Sequence, residues 1–210
     1  MEHYHYVPTL ISWTSRQARR FTGLPIKTTC AITDQGKPRK QYDMQIWKDL
    51  PCLAWDFREE WDDLSIPSGP PDQRQKAISS VINLNRFTAL LMATEEPVFD
   101  YHFFALIAFS DALEIPPEEL LDKCLDSVVP AAAAWIEILG EEIYEWDDAM
   151  NTRGPLWIGQ RRFCEERWSF WHKRFMELAH MDEGIGEAAR TAARKAAEIM
   201  EDIQNWDVEE

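Results

Sequence analysis

In this chain of 210 residues the apolar side chains return every three or four positions in almost every stretch between proline or glycine breaks. That spacing gathers them on one face of an α-helix, whereas a half-buried strand needs strict alternation. Residues 53–64 set the example, with Leu53, Phe57, Trp61 and Leu64 on one stripe. No stretch alternates convincingly, no Asn-Gly hairpin signal occurs, and no repeat of fixed length is visible. The expected fold class is all-α: a single-domain bundle of seven to eight helices with an irregular N-terminal arm.

The breaks place the helices. Pro67, Gly69, Pro70 and Pro71 mark one loop, Pro97 another, Pro116 and Pro117 a third, and Gly154, Pro155 and Gly159 a fourth. Asp49 is a candidate N-cap for the stripe at 53–64, and Asp72 for a helix reaching about residue 93. That helix and residues 98–114 are apolar nearly all round, which predicts burial on several sides and makes the two the expected centre of the fold. Pro117 and Pro130 read as first-turn prolines of helices over 117–126 and 130–149. The alanines at 131–134 let a neighbour approach closely. Two further helices are expected over 160–180, with Cys164, Trp168, Trp171, Phe175 and Leu178 on one stripe, and over 185–206.

Residues 22–46 show no period, and residues 1–46 carry seven Lys/Arg against three Asp/Glu, a net charge of +4. The expected domains are therefore a basic, irregular arm over 1–46, solvated or clasped across an acidic body, and a helical domain over 47–206. The whole chain has a formal charge of −15. So acidic a surface repels phosphate backbones and anionic lipid heads, which argues against nucleic acid and membrane as partners. The longest apolar runs, at 103–109 and 128–136, are far short of the ~18 residues of a membrane span. The start lacks a signal-peptide pattern, and Cys30, Cys52, Cys124 and Cys164 form no C-x-x-C pair. A cytoplasmic protein with reduced thiols is expected.

Nucleophile elbows and glycine-rich phosphate loops are absent. The acids at 141–148 superficially match the magnesium-holding motif of helical terpene cyclases, but no partner motif accompanies them. Glu177 and His180 have the spacing of a di-iron ligand pair, and a second pair is missing. No metal and no cofactor is expected. The remaining candidates are polar groups inside apolar helices: His102, Ser110 and Asp111 in one, Asn83, Asn85 and Arg86 in another. Such groups satisfy one another or face water, or else they line a small-molecule pocket. The ten tryptophans are core first and pocket wall second. Arg58 and Asp62, four apart, read as a surface pair or a pocket rim.

From Trp47 onward the order of segments is distinctive. Trp47-Lys-Asp-Leu-Pro51 precedes Trp55-Asp-Phe-Arg-Glu-Glu-Trp61-Asp62. Then come Asn83-Leu-Asn-Arg-Phe-Thr-Ala-Leu-Leu91, Ala105-Leu-Ile-Ala-Phe-Ser-Asp-Ala-Leu-Glu114, and Arg167-Trp-Ser-Phe-Trp-His-Lys-Arg-Phe-Met-Glu-Leu-Ala179 before an alanine-rich last helix. Over about residues 47–203 this order resembles a fungal family of unknown function named after an oxopyrrolidine biosynthesis cluster protein, member G. The resemblance implies an all-helical cytosolic protein associated with fungal secondary metabolism. It brings no catalytic residues, and residues 1–46 lie outside it.

The leading functional expectation is a cofactor-independent cyclase, pericyclase or isomerase that folds a hydrophobic polyketide- or terpenoid-like intermediate, a task for shape and a few placed donors. In it His102 moves a proton or donates a hydrogen bond, Asp111 orients or acts as base, and Arg86 or Arg58 polarises a carbonyl. Trp55, Phe99, Phe103, Phe109, Trp168 and Trp171 would wall the substrate site. His102 and Asp111 stand ~13 Å apart along one helix, too far to touch. The alternative is a non-catalytic helical adaptor whose acidic field steers a basic pathway protein and whose contacts come from Trp146, Trp157 and Trp206. A weaker alternative is a magnesium-dependent terpene-type cyclase. A homodimer stays open.

Overall fold

Where the sequence breaks its apolar period, the computed structural model turns the chain. It describes residues 36–37, 40–41, 43–45, 50, 53–120, 124–147 and 153–207. Most of the basic arm, the Asp49 cap, Trp13, Trp47 and the side chains of Trp55 and Trp206 lie outside the described residues. Before the helices, β1 (Lys40–Gln41) and β2 (Met44–Gln45) pair antiparallel around Asp43, whose φ is 64°.

The fold is all-α, with six α-helices among the described residues rather than seven or eight. Helix α1 (Leu53–Asp62) turns Phe57 and Trp61 inward. Helix α2 (Pro71–Met92) opens with proline, whose missing N–H costs nothing in a first turn, and with Asp72 at the positive end of the helix dipole. No side chain caps it, so Asp72 acts through its charge. A short 3₁₀ turn, Pro97–Phe99, leads to α3 (His102–Phe109), which runs straight into a π turn, Ser110–Glu114. The expected single helix over 98–114 is thus three pieces.

The helix expected over 117–126 reduces to a 3₁₀ turn at Pro117–Glu119, because Leu120 is already extended. Helix α4 (Leu125–Glu145) begins five residues before Pro130. Its start is fixed by Cys124 and Ser127: the Cys124 N–H donates to the Ser127 hydroxyl oxygen (3.3 Å), which donates to the Cys124 carbonyl (2.8 Å). Pro130 is tolerated inside because the hydrogen bond it forfeits would end on Asp126, in the first turn. Helices α5 (Glu165–Ala179) and α6 (Glu187–Asp207) complete the bundle.

The centre lies on α4, with α2 on one side and α6 on the other, while α5 packs on α6. The expectation that α2 and α3 form the centre is corrected by the alanines. Ala132, Ala133 and Ala134 of α4 and Ala189, Ala193, Ala196 and Ala197 of α6 are buried, so two thin helix faces meet. The two come close at Gly140, where an added Cβ would lie 2.9 Å from Ile203 Cδ1. The helix leaves α geometry beside it, at Leu139 (φ −133°, ψ 25°). Among the described residues no helix is long and apolar enough to cross a membrane.

Candidate functional site

The four expected catalytic groups occupy four separate places. His102 opens α3; its Nδ1 pairs with Asp100, and its ring meets Trp146 edge-on with centroids 4.1 Å apart. Asp111, on the π turn, faces a crevice lined with Trp61, Asn85 and Val128. That crevice has a volume of about 10 Å³, room for a single water molecule. Arg86 turns to Glu137, which also takes Lys195. Arg58 pairs with Asp62 through Nε at 2.9 Å and lies over the Phe103 ring at 5.5 Å. Arg58 and Phe103, each expected in the site, are therefore one pair of candidates that the fold brings together.

Phe109 and Trp171 are another. They stack at 4.6 Å inside the core and leave no open space between them. Phe99 is buried against Tyr101, and Trp168 against Tyr144. The polar groups of α2 satisfy themselves: the Trp135 N–H donates to Asn85 Oδ1 (2.9 Å), and Asn85 Nδ2 donates to the Val81 carbonyl (2.9 Å). Asn83 faces solvent.

The most elaborate polar site joins two residues that sequence reasoning passed over. Glu114 and Arg167 form an ion pair with side-chain exposures of 0% and 0%. Arg167 Nε donates to Glu114 Oε1 at 2.7 Å and Nη2 to Oε2 at 2.9 Å. The Trp171 N–H donates to Oε1 at 2.8 Å, and the Gly154 backbone N–H to Oε2 at 2.8 Å. Four donors thus fill the carboxylate. The guanidinium lies over the rings of Trp171 and Trp157, 5.1 and 5.9 Å from their centroids.

The π turn explains how a glutamate reaches this place. In an uninterrupted α-helix five residues advance about 500°, leaving Glu114 about 140° away from Phe109. A turn closed from i to i+5 makes five residues little more than one revolution. Glu114 then lies on the face of Phe109, and both meet Trp171. Arg174 holds the turn from outside, its Nε donating to the Leu113 carbonyl at 3.1 Å. The available signal was charge on a core face: Arg167 lies one helical turn before the buried Trp171.

This pair fixes a loop. Besides Gly154, the Leu156 N–H bonds the Glu114 carbonyl at 2.9 Å. A Cβ on residue 154 would lie 2.5 Å from that oxygen, so only glycine fits the approach. The Trp157 ring turns back beneath the loop, its N–H donating to the Gln160 carbonyl (2.8 Å), and glycine is needed again at 159, where a Cβ would meet the ring at 2.2 Å. The loop turns two large apolar side chains outward: Leu156 is 38% exposed and Ile158 90%. The expected tryptophan patch is corrected here. Trp157 is buried, and Trp146 is half-buried between His102 and Phe163.

Chemically, a carboxylate holding four donors has no free lone pair for proton transfer, so Glu114 positions rather than reacts. Burial pushes the Tyr101 phenol well above its ordinary range and raises the Cys164 thiol, which Glu166 raises further. Neither is an activated nucleophile. Among the described residues no group of three His, Cys, Asp or Glu side chains could hold a metal ion.

A family model described as "Protein of unknown function (DUF3632)" matches residues 7–175. The match takes in Glu114, Arg167 and Trp171. It also reaches into the basic arm that the resemblance had left out, and it stops short of α6. No curated protein and no solved structure matches the chain. With the match spanning well over half of its length, the chain belongs to this family of proteins of unknown function.

Proposed function

We propose that this protein is a non-catalytic helical adaptor that docks a partner protein, a pathway enzyme of the fungal secondary metabolism with which its resemblance associates it. One observation carries the reading: a fully buried ion pair holds a loop whose outward residue, Ile158, is 90% exposed. Exposed large apolar side chains on a fixed backbone suit recognition, since little order is lost when the partner arrives. The cyclase, pericyclase or isomerase reading has the Asp111 crevice in its favour, but about 10 Å³ admits water rather than a polyketide.

The test is co-expression with the enzymes of such a pathway, reading product titre and co-purification together. Ile158→Asp is expected to lower both, while His102→Ala and Asp111→Asn leave titre unchanged. Loss of product in His102→Ala or Asp111→Asn, with Ile158→Asp silent and all variants folded, overturns the adaptor reading in favour of catalysis.

A further inference from the structure

We draw no further inference here: the strongest candidate, the exposed Leu156 and Ile158 of the loop held by the buried Glu114–Arg167 pair, belongs to the site already described, and nothing in the structure shows what covers it.

Discussion

Around Phe104 the rings of Trp61, Tyr101, Phe103 and Phe57 lie with centroids 4.6, 5.8, 6.0 and 6.5 Å away, and the one cation beside them, Arg58, lies over the exposed Phe103 ring rather than inside the core. Around Trp171 the rings of Phe109 and Phe163, at 4.6 and 5.7 Å, close beside a carboxylate and a guanidinium. The first region gains its stability from area removed from water, a non-directional effect that tolerates changes of shape. The second gains direction: each hydrogen bond to Glu114 fixes where another segment lies. A core can therefore assign cohesion to one end and aim to another, and here the aimed end carries the exposed loop.

The comparison breaks most visibly at the charge. Glu114→Gln keeps the volume and an acceptor oxygen but leaves Arg167 buried without its counter-ion, and is expected to cost about 3–5 kcal/mol in urea unfolding. A loss under 1 kcal/mol would show that water reaches the pair. Trp135→Phe comes next. It removes the donor to Asn85 and strands a buried amide oxygen, for about 1–3 kcal/mol in the same measurement. Phe104→Leu, a change of shape in the region of rings alone, should cost about 1 kcal/mol. If it equals Glu114→Gln, the two regions do not differ in kind.

The smallest effect is in pH. Burial raises the Asp56 and Glu60 carboxyls above their ordinary values, with help for Asp56 from Glu59 and for Glu60 from Asp63, Asp56 and Glu59. In the window just above the ordinary carboxylate pKa the folded chain then binds more protons than the unfolded one. These two groups therefore make stability rise as pH falls through that window, and their contribution is least favourable above it. Glu60→Gln should flatten this slope in melting temperatures measured between about pH 7 and about pH 5. An unchanged slope removes Glu60 from the account.

The helical class was legible because each helix repeats an apolar stripe, and Phe57, Trp61, Trp168, Trp171 and Phe175 are all buried as their spacing demands. The helix starts were less legible. Pro130 fits a first turn by local rule, yet the Cys124 and Ser127 cap sets the start earlier. The polar site was not legible, since Glu114 and Arg167 are 53 positions apart and nothing local announces their meeting. The π turn escaped for a related reason: it is stabilised from α5, by Arg174 on the Leu113 carbonyl, and not by its own sequence. Three of the four expected catalytic groups are engaged elsewhere, His102 with Asp100, Arg86 with Glu137 and Arg58 with Asp62.

Glu114 must wait for Arg167, and synthesis runs from the N-terminus at a finite pace. A nascent chain that has left the ribosome only through α4 already holds most of the partners of the Phe104 rings. It also holds one carboxylate that cannot be sealed from water without its cation. Closure of that end is thereby tied to the emergence of α5, and a chain stopping before Arg167 keeps Glu114 in water.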